Sequence, residues 1–123
     1  MNDSISEILD NLMKHEDVLA CKFCRENAGE IVPKNERFKQ GIDEIWTTVD
    51  RSMDSVFKLA HGISQMDDSE IKIKNDDYFV LYYLLPSKMS VLTAVIPRET
   101  NNLGLIETEM EKTRREIVNL IQD

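Results

Sequence analysis

Glycine and proline are scarce, four and three residues in 123, and cysteine is limited to Cys21 and Cys24. Disordered and collagen-like chains are rich in the first two residues, so their scarcity excludes both classes. Two cysteines cannot build the disulfide framework of a small secreted scaffold, which favours a reducing compartment. No apolar run approaches the roughly 18 residues that a membrane helix needs. The segment Met1 to Asp10 is polar and acidic rather than basic and then apolar, so no signal peptide is expected. These absences predict a soluble, cytoplasmic protein with no direct membrane insertion. Positive charge is also short: 15 Lys and Arg against 23 Asp and Glu leave a net charge of -8. That balance opposes phosphate backbones and argues against nucleic acid as a partner.

What remains, 41% hydrophobic and 31% charged residues, suits one domain over residues 1–123 with one buried core. A first helix is expected from about residue 5 to about residue 14. Ser4-Ile5-Ser6-Glu7 has capping-box spacing, and Ile5, Ile8, Leu9 and Leu12 share a stripe. Val18 to Cys24 and Glu30 to Pro33 read as two strands joined by a turn at Asn27-Ala28-Gly29. Between Gly41 and Gly62, Ile42, Trp46, Val49, Met53, Val56 and Ala60 recur at helical spacing, and Ile45 and Leu59 widen the stripe. Gly62 is expected to cap this helix in the left-handed conformation, with Ile63 folding back on Phe57. Three strands follow, Glu70 to Lys74, Tyr78 to Leu85 and Ser90 to Ile96, read as an antiparallel meander. A last helix opens at Asn101 or Asn102 and carries Leu103, Ile106, Met110, Ile117 and Ile121 on one side. The order helix-strand-strand-helix-strand-strand-strand-helix predicts an α+β domain with three α/β/α layers around a five-stranded antiparallel sheet.

No motif assembles catalytic machinery. The P-loop, G-x-S-x-G, H-E-x-x-H and dinucleotide fingerprints are missing, and Gly104 stands alone in Leu103-Gly104-Leu105. Cys21-Lys22-Phe23-Cys24 has C-x-x-C spacing, but on a strand residues three apart point to opposite faces, so the thiols diverge. His15 and His61 fall at helix ends, where a partly positive imidazole suits the dipole. Asp67-Asp68 and Asp76-Asp77 fall at turns. No enzyme, cofactor or metal is therefore expected. The wide apolar helix and the Glu70–Lys74 strand, taken as a sheet edge, leave a monomer or a two-fold dimer in which helix meets helix and edge meets edge.

The order of elements, the long apolar helix and the run Asn102-Leu103-Gly104-Leu105-Ile106 resemble the roadblock (dynein light-chain) family. Ile8 to Ile121 follows the family's length, with Val18-Leu19-Ala20 leading into the first strand and a turn at Gly29. The resemblance implies a profilin-like sheet with the long helix on one face and the terminal helices on the other. It also implies homodimers, or heterodimers with a paralogous roadblock chain, joined through the long helix and third strand. Family members serve as platforms for small Ras-like GTPases or as adaptors in dynein and membrane-complex scaffolds. Carried over, this makes Ile42, Ile45, Trp46, Val49, Met53 and Val56 dimer or core positions, with Ile71 and Ile73 near the paired edge. Asp43, Asp50 and Asp54 are then candidates to steer a basic partner. Trp46 and Met53 are bulkier than is usual for that helix, and the C-x-x-C is foreign to the family. The function implied is a non-enzymatic dimeric module that binds and regulates a small GTPase; the alternative is an adaptor subunit that pairs with another roadblock chain.

Overall fold

The strands read from the sequence assemble into one antiparallel sheet whose two faces are both covered. The computed structural model describes residues 2–35, 42–63 and 66–121. In chain order these form α1 (Asn2–Met13), β1 (Ala20–Arg25), β2 (Gly29–Ile31), α2 (Asp43–Ile63), β3 (Glu70–Lys74), β4 (Tyr78–Leu85), β5 (Ser90–Pro97) and α3 (Leu103–Ile121). A 3-10 turn at Pro86–Lys88 joins β4 to β5. The strand order is β2-β1-β5-β4-β3, antiparallel throughout, so β5 is central and β3 is one edge. This is the expected three-layer α+β architecture, in the expected order of elements.

Strand alternation divides the central strands between two cores. From β5, Leu92, Ala94 and Ile96 join Ile5, Leu9, Ile106 and Met110 beneath α1 and α3. Val91 and Val95 point the other way and pack under α2 with Trp46, Val49 and Phe57. A Leu or Ile side chain taken wholly out of water contributes about 2 kcal/mol. The near-continuous apolar runs of β4 and β5 therefore require a helical layer on each side.

Three boundaries differ from the sequence reading. Helix α1 already runs from Asn2, so Ser4 lies inside it rather than capping it. The Ser6 hydroxyl instead ties the helix to the end of the hairpin, donating to the Val32 carbonyl at 2.8 Å. Pro33 lies beyond β2, which ends at Ile31. Helix α2 continues through Gly62 to Ile63, and Gly29, not Gly62, is the described glycine with positive φ. Glycine permits a left-handed cap without enforcing one. Ile63 accordingly remains 61% exposed instead of folding back on Phe57. Gly41, the start of the periodic segment, lies outside the described residues.

A polar row crosses the sheet under α2, where Thr93 pairs in register with Lys22 on one side and Tyr82 on the other. The Thr93 hydroxyl is wholly buried and has no hydrogen-bond partner among the described residues. A buried hydroxyl without a partner costs about 1–3 kcal/mol, and valine has nearly the same shape. Thr93→Val should therefore raise the unfolding free energy by about 1 kcal/mol, measured by urea denaturation with an unchanged m-value.

Candidate interaction surface

Helix α2 presents three strips, and their positions decide what each can do. The innermost strip is the stripe seen in the sequence. Ile42 and Val49 are 0% and 1% exposed, and Trp46, Met53 and Val56 are buried with them against Val80, Tyr82 and Val95. Of the two roles expected for these five residues, dimer or core, the single chain places them in the core. Ile42, Trp46, Val49, Met53 and Val56 are spent on the chain's own sheet, because a helix lying on a sheet turns its most apolar stripe inward.

A second strip runs along the flank of α2 that faces the β3 side of the sheet. Ile45 and Thr48 border the Asn75–Tyr78 end of the β3–β4 turn, which fixes the direction of this flank. Helical spacing carries it on through Ser52 to Leu59 and Ile63. On β3, Ile71 and Ile73 stand opposite Tyr82 and Val80, so their side chains lie on the α2 side of the sheet. Ile45 and Ile71 are partly buried at the margin of this core, whereas Leu59 and Ile73 are about half exposed. Of the interface candidates, Ile45, Ile71 and Ile73 therefore have surface to offer. Leu59 and Ile63 complete the strip. The sequence had marked Leu59 only as widening the stripe.

The third strip faces the β1–β2 hairpin. Asp50 and Asp54, with Met53 and Phe57, line a groove of about 340 Å³ whose other wall is Cys24 to Asn27, Gly29 and Glu30. Asp43 is exposed at the start of α2 and, by helical spacing, falls on the same flank. All three aspartates thus share one side, the one away from β3. Lys22 rises from β1 beneath this strip and is 1% exposed. Its ammonium pairs with Asp50, lies 2.9 Å from Glu30 and sits 4.6 Å from the centre of the Trp46 ring. Asp50 is therefore partly committed to a structural pair, while Asp54 borders open groove.

The remaining sequence candidates serve packing and layer contacts. Cys21 belongs to the α1/α3 core and Cys24 to the α2 core, so their thiols lie on opposite faces of β1. Burial pushes both thiols up, that of Cys24 to about 12, and leaves neither as a thiolate near neutral pH. His61 lies 3.3 Å from Glu26 and His15 lies 3.6 Å from Glu109, each bridging two elements. Among the described residues no group of His, Cys, Asp and Glu is placed to hold a metal, and no helix is long and apolar enough to cross a membrane.

Sequence reasoning missed Arg114. It lies on α3, is 1% exposed, and stacks its guanidinium 4.8 Å from the Tyr83 ring centre. Its Nη1 donates to the Ser69 carbonyl at 2.8 Å and its Nη2 pairs with Glu111 and, at 3.5 Å, with Glu70. Arg114 therefore fastens the start of β3 to α3, behind the edge that Ile71 and Ile73 occupy.

Compared with models of known families the sequence matches none, and no curated protein matches it. Solved structures do match. Myxococcus xanthus MglB superposes with a TM-score of 0.67 at 17% identity, covering 95% of this chain and 94% of that one. MglC from Myxococcus xanthus superposes with a TM-score of 0.67 at 13% identity, covering 98% of this chain and all of the other. At such identity the likeness is one of fold, and it extends over nearly the whole length of each chain. The three-layer architecture built here is the roadblock fold, shared with MglB and MglC.

Proposed function

We propose that this chain is a non-enzymatic, cytoplasmic roadblock module that dimerises through the α2 flank and β3 edge and binds and regulates a small Ras-like GTPase. The observation that carries the reading is the apolar strip Ile45, Leu59, Ile63, Ile71 and Ile73. Leu59, Ile63 and Ile73 are exposed in it, with Ile45 and Ile71 half-buried at its margin, and it lies beside a sheet edge that no described strand covers, whereas the other exposed large apolar residues, Met66, Met89, Leu105 and Leu120, lie outside it. The full-length fold match to MglB and MglC supports it, since the roadblock family supplies dimeric platforms of this kind. In a two-fold pair the helices α2 lie side by side, and their outer faces form one surface on which a GTPase docks. Asp43 and Asp54, exposed on the outer flank of each α2, steer the basic side of that partner toward the platform.

A regulator discriminates between nucleotide states, because only differential affinity shifts an equilibrium. Ras-like GTPases of the same genome, each loaded with GDP or with a non-hydrolysable GTP analogue, are titrated against the purified chain by calorimetry. At least a five-fold preference for one nucleotide state of one GTPase is expected. Equal affinity for both states would replace regulation with passive scaffolding, and no binding at all would remove the GTPase from the reading.

A further inference from the structure

The groove between α2 and the β1–β2 hairpin joins an apolar floor to an acidic rim. The floor is Cys24, Met53 and Phe57, each more than nine-tenths buried. The rim carries Asp50 and Asp54 on the helix and Glu26 and Glu30 on the hairpin. At about 340 Å³ the space is at the small end of ligand sites, enough for one long side chain rather than a cofactor. The cations that adjoin it are already engaged. Lys22 pairs from behind with Asp50 and Glu30. Arg25 folds over the hairpin turn, where its Nη2 donates to the Ala28 carbonyl at 2.8 Å, and it forms no ion pair among the described residues. Glu26 is shared with His61, 3.3 Å away, whereas Asp54 has no hydrogen bond or ion pair among the described residues. Four carboxylates against two occupied cations leave the groove negative above its apolar floor.

That combination selects the occupant. A bare metal ion gains nothing from Met53 and Phe57, and no group of His, Cys, Asp and Glu among the described residues is placed to hold one. A long basic side chain uses both parts, with its methylenes on the floor and its charged head at the rim. The chain holds two of its own cations in this way. The Lys22 ammonium lies 4.6 Å from the Trp46 ring centre and is paired with Asp50 and Glu30, and the Arg114 guanidinium lies 4.8 Å from the Tyr83 ring centre and is paired with Glu70 and Glu111. We infer that the groove binds an arginine side chain presented by a basic segment of a protein partner. Arginine suits it better than lysine, because a planar fork of donors can serve carboxylates on both walls while an ammonium acts as a point charge. The groove lies on the flank of α2 away from β3, so it is open in a single chain and in a pair joined at the β3 edge. The inference turns the steering role given to Asp54 above into a contact, and rests on that reading only in taking the chain for an interaction module.

The test is titration of the isotopically labelled full chain with the peptide acetyl-Gly-Lys-Gly-Arg-Gly-Lys-Gly-amide, followed by amide NMR shifts. Matched peptides carry citrulline or lysine at the centre. Saturable shifts are expected to concentrate in residues 24–30 and 50–57. Citrulline keeps the shape of arginine without its charge and should bind at least about ten-fold more weakly. Lysine should bind about three-fold more weakly. Asp54→Asn, at an exposed position, should weaken the arginine peptide about five-fold, and Asp54→Asn with Glu26→Gln more than about ten-fold. The same spectra report whether each variant is folded. A chain of net charge -8 attracts any basic peptide, so Asp76→Asn is the control. It removes an equal charge at the exposed β3–β4 turn and should change the affinity less than about two-fold. Shifts scattered over the acidic surface, equal losses in Asp76→Asn and Asp54→Asn, or equal binding of the citrulline peptide would overturn the site. So would the lack of a saturable shift at millimolar peptide. The probe carries no nucleotide and needs no dimer, so its failure leaves the GTPase titration and the oligomeric state to their own measurements.

Discussion

A chain carrying Leu59→Glu and Ile73→Glu is expected to run as a folded monomer under conditions where the unsubstituted chain is dimeric, with the dissociation constant raised at least about 100-fold. Both side chains are about half exposed in the isolated chain, so glutamate there meets water and leaves the two cores intact. In a two-fold assembly each substitution appears twice, and each carboxylate is placed against apolar surface with no cation provided for it. The contrast with the inner stripe makes the result diagnostic. Trp46→Glu with Met53→Glu would force carboxylates against Val80, Tyr82 and Val95, at several kcal/mol each. A domain of this size has about 5–15 kcal/mol in all, so that pair should unfold the chain rather than split it. Light scattering and far-UV circular dichroism on both double variants separate the cases. If Leu59→Glu with Ile73→Glu leaves the mass unchanged, the interface is elsewhere. If Trp46→Glu with Met53→Glu yields a folded monomer, the assignment of that stripe to the core is wrong.

The fold was legible in the sequence because its signals are local. The three-four spacing from Ile42 to Ala60, the alternation in Glu70 to Lys74 and the dense strand formers of β4 and β5 each depend on a few neighbouring residues. The interaction surface was less legible for a geometric reason. A helix on a sheet hides the centre of its apolar stripe and exposes a flank, and periodicity reports the width of the stripe without saying which flank faces which strand. The spacing left the centre open as dimer or core, and within one chain it lies in the core, whereas Leu59 and Ile63, at the margin, are left outside. The buried cations were invisible for a related reason. Lys22 sits among strand formers with nothing nearby to mark it, and its partner Asp50 is 28 residues away. Arg114 reads as a late-helix cation suited to the dipole, until the fold brings Ser69 and Tyr83 to it. Charges whose partners come from other elements carry no local signature.

Arg114 also carries the second large effect, because it joins α3 to the strand that borders the proposed interface. Arg114→Ala should lower the unfolding free energy by about 3 kcal/mol, or roughly 10 °C in melting temperature. The loss has two sources. The Ser69 carbonyl loses its 2.8 Å donor, and the Tyr83 ring loses the guanidinium stacked on it. The pairs with Glu70 and Glu111 add less, since both carboxylates are more than a third exposed and solvent screens them. The Arg114 Nε, which is buried without an acceptor among the described residues, subtracts from the total. Arg114→Lys keeps the charge but cannot fork between the carbonyl and Glu111, so it should recover less than half of the loss. Tyr83 offers an independent readout. Burial first, and Glu107 next, push its phenol up to about 12, with Arg114 acting in the opposite direction. Removing the guanidinium should therefore move the tyrosinate transition of Tyr83 further up in a spectrophotometric titration, provided the chain stays folded over the range. Because Arg114 holds Ser69 at the head of β3, the variant should also dimerise more weakly than its stability alone would dictate at temperatures well below melting. An Arg114→Ala protein with an unchanged melting temperature would mean that the clamp carries no energy, and unchanged self-association in a destabilised variant would mean that it does not shape the edge.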